Sequence, residues 1–303
     1  MIKQENFKSA FIALIGRPNS GKSTLMNTVL GEQISVVTPL PQTTRQNLRG
    51  VFTNDTMQLV FVDTPGIHKG RHTFNEIMIN EACQAIAKDD VDLVCYVVDI
   101  ARTFGEEEKN VAELVINSGI KTFIVFNKID AAKDCEKTIE HFFELFPALK
   151  SSPSISISAS RHSSKDIFLE HVEKLIPEGP RYYDPDELTD ASMRTIAAEY
   201  IRKHIILSVR DEVPHASFVE IESYHEDKRG HAINATIHVE TVGQRGIIIG
   251  KDGSVIKIIR KRAEMDMQNL LQVPVKISLH VKISPRWRDN DSFLRMQGLV
   301  SKK

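Results

Sequence analysis

Gly16-Arg17-Pro18-Asn19-Ser20-Gly21-Lys22-Ser23 reads Gly-x-x-x-x-Gly-Lys-Ser. It follows the apolar run Ala10 to Ile15 and precedes Leu25, Met26, Val29 and Leu30, spaced as one face of a helix. A buried strand, a glycine loop and a helix start are the setting in which this motif cradles phosphate. Backbone N–H groups can neutralise a di- or triphosphate only if the chain wraps it closely, and Gly16 and Gly21 carry no Cβ to prevent that. Lys22 is placed to reach the β- and γ-phosphates, and the Ser23 hydroxyl to ligate Mg²⁺. The whole stretch from Gly16 to Ser23 is therefore assigned to nucleotide binding, with Lys22 also catalytic.

The chain of 303 residues is long enough for two domains. With 41% hydrophobic and 26% charged residues it has the composition of a soluble globular protein. A net charge of −1 offers no overall attraction to nucleic acid, so any basic surface must be local. Cys83, Cys95 and Cys135 lie far apart without metal or redox spacing and read as packing residues of a reducing cytoplasm. The N-terminus carries Lys3, Glu5 and Lys8 and does not read as a signal peptide. No stretch approaches the ~18 apolar residues of a membrane span.

After a helix ending near Gly31, residues 32–47 form a long unpatterned loop with Thr43 and Thr44 before Arg45. Long loops inside compact domains are usually functional or disordered. Strands are expected over 48–52 and 58–62, the second ending in Asp63-Thr64-Pro65-Gly66. Asp63 at the carboxyl end of a buried strand suits a Mg²⁺ site in a phosphate-loop fold, and the Gly66 N–H could approach the γ-phosphate. Helices over 74–86, 105–116, 139–145 and 164–176 then alternate with strands over 93–98, 121–126 and 154–158. That alternation predicts a mostly parallel sheet covered on both faces. Glu106 to Glu108 fall in a first helical turn, where the dipole favours carboxylates.

Asn127-Lys128-Ile129-Asp130 selects the base. Guanine presents N1–H and an exocyclic amine on one edge, and the Asp130 carboxylate can accept from both. Adenine has no such donor pair and would leave the carboxylate unpaired. Asn127 is placed to pin the loop and reach the far edge of the base, and the Lys128 stem to cover one ring face. In Ser158-Ala159-Ser160, Ala159 is small and its N–H could bond the guanine carbonyl oxygen. Together these motifs describe a GTPase domain. Where Ras-like GTPases carry a glutamine that orients the attacking water, this chain has Ile67, so hydrolysis is expected to be slow or to take its electrostatics from elsewhere.

Pro177, Gly179, Pro180 and Pro185 mark a compositional break. The expected division is a GTPase domain over 1–178, a linker over 179–190 and a second domain over 191–303. There a helix over 192–209, strands over 216–224 and 231–241, and a short helix over 245–249 lead to Gly250-Lys251-Asp252-Gly253. A helix over 254–271, a strand over 275–283 and a short closing helix over 291–298 follow. The order through the strand at 275–283 is that of a type II KH domain, whose Gly-x-x-Gly loop clamps single-stranded RNA. From Arg245 to Arg288 there are ten Lys and Arg against three Asp and Glu, a local charge of +7. The expected RNA contacts are Arg245, Gly250, Lys251, Asp252, Gly253, Lys257, Arg260 and Lys261. His238 and His280 read as surface residues on polar strand faces. Trp287 is read two ways, stacking on a base or docking the tail.

With both halves read, the chain resembles the Era family, bacterial GTPases with a C-terminal KH domain. The likeness rests on the Gly16 to Ser23 loop, Pro41-Gln42-Thr43-Thr44-Arg45, Asp63-Thr64-Pro65-Gly66-Ile67-His68 and Asn127-Lys128-Ile129-Asp130. It continues in Asp211-Glu212-Val213-Pro214-His215 and Ile249-Gly250-Lys251-Asp252-Gly253. The resemblance implies a GTP/GDP-binding protein that binds the 3′ end of small-subunit ribosomal RNA and assists maturation of the small ribosomal subunit. It implies Mg²⁺ held by Ser23, Thr44 and Asp63, catalysis carried by Lys22, Thr44 and Gly66, and K⁺ near Asn19 in place of an arginine finger. Asp252 departs mildly from the pattern by putting a carboxylate inside the clamping loop. A cytoplasmic monomer is expected, with peripheral association at the inner face of the cell membrane left open. The alternative is a constitutive RNA-binding protein whose nucleotide domain is mainly structural; a tRNA-modifying GTPase is disfavoured because no extra catalytic domain is present.

Overall fold

The computed structural model of the chain describes residues 6–32, 48–63, 91–227 and 229–296. The expected helix over 74–86, Thr43 and Thr44, and the stretch from Thr64 to His68 lie outside the described residues. The described chain separates into two compact units, the first ending at Asp190 and the second starting at Ala191.

The first unit is built on six strands: β1 (Lys8–Ile15), β2 (Leu48–Thr53), β3 (Met57–Asp63), β4 (Leu93–Asp99), β5 (Thr122–Asn127) and β6 (Ser154–Ile157). Their order is β2-β3-β1-β4-β5-β6, parallel except for the antiparallel β2–β3 pair. Every residue of β4 is buried, as a central parallel strand between two helical layers requires. One layer is α2 (Glu106–Ser118) and α3 (Cys135–Leu145), where Val111, Val115 and Phe142 share a core with Ala13, Ile15, Tyr96, Val98 and Phe126. The other contains α1 (Lys22–Leu30) and α4 (Ser164–Glu173), with Phe168 tilted against Phe61 and Phe123. Parallel strands all point their carboxyl ends one way, so the loops after β1, β4, β5 and β6 gather at one rim.

The proline-rich stretch after α4 is hydrogen-bonded to the sheet rather than running free. Gly179 N donates to Phe7 O, Tyr182 N and Tyr183 N donate to the buried Gln58 Oε1, and Val51 N donates to Leu188 O. The bond from Val51 N satisfies an edge group that β2 would otherwise expose.

The second unit is a three-stranded sheet, β7 (Phe218–Asp227), β8 (Gly230–Val239) and β9 (Val275–Ile283), with β8 central. β7 pairs antiparallel and β9 parallel to β8. One face packs against α5 (Met193–Ser208) and α7 (Ser254–Leu271) through Ile201, Ile205, Ile259, Ala263 and Met267. Between β8 and α7 lies α6 (Val242–Ile249), begun by a reciprocal capping box of Thr241 and Gln244. A closing helix α8 (Asp291–Met296) follows β9.

One expectation on this sheet is corrected, and one left open is decided. His238 is 3% exposed. Its Nδ1 lies 2.8 Å from Ser284 Oγ and its Nε2 2.8 Å from Glu220 Oε2, and the tail's Phe293 sits 5.1 Å from its ring. Strand alternation places it on the polar face, and the returning tail buries that end. Trp287 docks the tail: it is 1% exposed, its Nε1 donates to Ala216 O at 2.8 Å, and it packs on Phe218 and Phe293. His280 is exposed, as expected.

Candidate nucleotide and RNA sites

Gly21 caps α1 at φ 103°, in the left-handed region, and offers no side chain to the first helical N–H groups. Three helices satisfy those donors with a side chain, Asp134 before α3, Ser192 before α5 and Thr241 before α6, whereas α2 and α4, like α1, have no side-chain cap. The start of α1 therefore keeps its orphan donors and dipole for an anion. Ser23 stands in its first turn. Lys22 is buried, with Nζ donating to Gly16 O and Arg17 O at 3.0 Å each, so its ammonium is folded over the loop's own carbonyls. The Ser20 Oγ is buried without a hydrogen-bond partner. Asp63 closes β3 opposite Leu14 of β1, which brings it beside the strand that feeds the loop. Serine and aspartate are hard oxygen ligands of the kind Mg²⁺ takes, and Ser23 lies at the start of α1 and Asp63 at the end of β3.

Arg17 does not face this anion site. Its side chain is 3% exposed and turns inward, with Nε 2.5 Å from Glu108 Oε2. Its NH1 donates to Thr103 O at 3.1 Å and its NH2 to Asp99 O at 3.3 Å. Any part Arg17 takes in phosphate binding falls to its backbone. Glu108 stands in the first turn of α2, as expected; it is fully buried and accepts from Tyr96 OH at 2.6 Å. Burial pushes the Glu108 carboxyl up, against the opposing pull of Arg17 and Tyr96. Removing one member of such a buried ion pair strands the other and costs about 3–5 kcal/mol.

The base-selecting loops meet on Asn127. Its Nδ2 donates to Ser20 O, and its Oδ1 accepts from Lys128 N and from Ala159 N, each at 2.8 Å. One buried amide thus joins the phosphate loop to the loops after β5 and β6, which matches the loop-pinning expected of it. The free N–H expected at Ala159 is corrected: that hydrogen is already given to Asn127. Lys128 adopts φ 68°, and its Nζ donates to Asn19 O and to Asp99 Oδ2, both at 2.7 Å. Asp130 is exposed, and hydrogen bonding with Ser158 holds its carboxyl below the usual carboxylate range. It is therefore ionised and acceptor-only at neutral pH, as a partner for two guanine donors must be.

In the second unit, Gly250 has φ 71° and ψ 172°, Asp252 φ 53° and Gly253 φ 73°. This tight turn leads into α7, which like α1 begins on a left-handed glycine without a side-chain cap. A Cβ on Gly250 would lie 2.5 Å from Val255 Cγ2 and 2.8 Å from Val255 N, whereas one on Gly253 meets nothing nearer than 3.6 Å. Lys251, Lys257, Arg260 and Lys261 surround the turn in sequence; Lys251, Arg260 and Lys261 are exposed, and Lys257 Nζ donates to Asp252 O at 3.1 Å. Among the described residues no helix is long and apolar enough to cross a membrane.

Residues 11–128 match the family model described as 50S ribosome-binding GTPase, and residues 212–288 match that of the KH domain. A curated GTPase Era of Ruminiclostridium cellulolyticum is 38% identical over 300 residues, covering 98% of this chain and 99% of that protein. The GTPase Era of a Nostoc species is 40% identical over 286 residues, covering 93% of this chain and 86% of that protein. This chain belongs to the Era family of GTPases. Two solved Era structures superpose on almost all of it, each matched over 97% of this chain and 100% of the other. One is a point variant from Aquifex aeolicus bound to GDP and AlF₄⁻, with TM-score 0.91 and 29% identity. The other is Era with MgGDPNP and nucleotides 1506–1542 of 16S ribosomal RNA, with TM-score 0.90 and 28% identity.

Within this Era-family frame, one site residue escaped the motif reading. Asp99 is buried at the carboxyl end of β4, paired in register with Asn127 of β5. The signal was present in the sequence: an apolar strand that ends on a carboxylate at the rim where the other strands deliver their site residues.

Proposed function

We propose that this chain binds and slowly hydrolyses GTP and, in the GTP state, binds the 3′ end region of small-subunit ribosomal RNA to assist maturation of the small ribosomal subunit. The observation that carries the reading is its near full-length correspondence to the Era protein solved with MgGDPNP and a 16S RNA fragment. Residues 1–178 form the GTPase domain and 191–303 the RNA-binding domain, joined by 179–190.

In this reading the donors of residues 16–23 receive the phosphates, and Lys22 gives up the carbonyls of Gly16 and Arg17 for β- and γ-phosphate oxygens. Asp130 accepts from the guanine edge, Ser158 orients that carboxylate, and the Lys128 stem covers the ring. Ala159 lines the base pocket while its N–H serves Asn127. Mg²⁺, held by Ser23, Thr44 and Asp63, would neutralise phosphate charge as it shifts during cleavage. Thr64, Pro65, Gly66 and Ile67 would complete the nucleotide site, with the Gly66 N–H as a donor to the γ-phosphate. Because Ile67 cannot orient water, turnover is slow. Asn19 would help hold K⁺, which would supply further charge, so hydrolysis should run faster in K⁺ than in Na⁺; equal rates remove K⁺ from the account. In the second domain, Gly250 to Gly253 and the start of α7 take RNA phosphates, with Arg245, Lys251, Lys257, Arg260 and Lys261 adding charge.

Titrating an RNA of the small-subunit 3′ end against the protein loaded with a non-hydrolysable GTP analogue or with GDP tests this reading. Tighter binding in the analogue state is expected, and by linkage the RNA should tighten the analogue by the same factor. Identical affinities would favour the constitutive RNA-binding alternative.

A further inference from the structure

The loops that hold phosphate and base are joined by a second tie besides Asn127. Asp99 is 1% exposed and serves three neighbours. Its Oδ1 accepts from Ala101 N at 3.0 Å, its Oδ2 from Lys128 Nζ at 2.7 Å, and its backbone carbonyl from Arg17 NH2 at 3.3 Å. Lys128 Nζ in turn donates to Asn19 O. The result is a closed ring in which Arg17 and Asn19 of the phosphate loop are both fastened to Asp99, one directly and one through Lys128. Asn19 and Lys128 hold φ of 62° and 68°, left-handed values that non-glycine residues keep only where surrounding contacts over-determine them. The bond between Lys128 Nζ and Asn19 O joins these two strained residues, and the Asp99 carboxylate holds the ammonium that makes it.

We propose that Asp99 is a positioning residue for guanine-nucleotide binding, acting through Lys128 to hold the phosphate and base loops in one frame. The inference rests on the nucleotide reading of those loops. Asp99→Asn keeps the acceptor for Ala101 N and the backbone carbonyl for Arg17, but it sets the amide Nδ2, a donor, where Oδ2 accepted from the Lys128 ammonium, so the bond to Lys128 is lost. Lys128→Met leaves a buried carboxylate without its cation, and the asparagine in that background relieves it.

The test uses the full chain, GDP as probe, and the variants Asp99→Asn, Lys128→Met and their combination. Asp99→Asn alone should weaken GDP binding about tenfold, and in the Lys128→Met background less than about twofold, since contacting residues are non-additive. The nucleotide-free double variant should also melt above Lys128→Met, a rescue that an independent structural role for Asp99 would not produce. If Lys128→Met does not fold, Lys128→Gln replaces it in the same cycle. Equal losses in both backgrounds, or no loss from Asp99→Asn, would overturn the proposal. A parent protein that fails to bind GDP would overturn the nucleotide reading and the role of Asp99 together, whereas intact parent binding with additive losses overturns Asp99 alone.

Discussion

Gly21→Ala adds one methyl group at the point where the phosphate loop presses on the base loop. Two costs can be worked from the structure. The backbone there has φ 103°, and a Cβ in left-handed geometry costs about 1–2 kcal/mol. The new methyl would overlap Asn127 Nδ2, so the amide must move. Moving it breaks the bonds to Ser20 O, Lys128 N and Ala159 N, each worth about 1 kcal/mol net. The total is about 4 kcal/mol, a large part of the stability of an ordinary domain. With a urea dependence of about 2 kcal/mol per molar, the unfolding midpoint of the first unit should fall by about 2 M. The assay can separate the two units because the chain has one tryptophan, Trp287, buried in the second. Far-ultraviolet circular dichroism should show the first unit's transition moving to lower urea, while Trp287 fluorescence keeps its midpoint. A shift below about 0.5 M would refute the steric argument. A shared shift of both signals would refute independent unfolding.

Gly253→Asp meets no clash but holds a carboxylate beside the start of α7, so single-stranded RNA binding should weaken at least about tenfold, with GTP turnover by the isolated protein unchanged. Filter binding paired with phosphate release reads both, and unaltered RNA affinity would remove this turn from the RNA site. His204 is buried with its Nδ1 unpartnered and its Nε2 2.8 Å from Asp266 Oδ2. Burial holds its pKa below the ordinary histidine value of 6.5, against the pull of Asp266. Its contribution to the second unit is therefore complete above pH 6.5 and lost as pH falls through that value toward the folded pKa. Urea midpoints read on Trp287 should drop between pH 7.5 and 5.5, and His204→Gln should flatten that drop; an unchanged slope would exclude His204 as its source.

Sequence by itself determined the order of the described elements. Strand–loop–helix periodicity needs only neighbours in the chain, and Gly21, Asp130, Gly250 and Gly253 announce themselves through local geometry or charge. The helix predicted over 254–271 and the strand over 275–283 coincide with α7 and β9, because each has an uninterrupted apolar period. Tertiary structure alone decided what the polar side chains do once strands distant in sequence become neighbours. Arg17 and Glu108 are 91 positions apart and Asp99 and Lys128 are 29 apart, yet each pair closes an ion pair because β1, β4 and β5 end at one rim. His238 read as a surface residue because strand alternation cannot show that Ser284 and Phe293, 46 and 55 positions later, return to cover it. Burying a charge or an imidazole is a property of everything packed around it, and no local pattern carries that information.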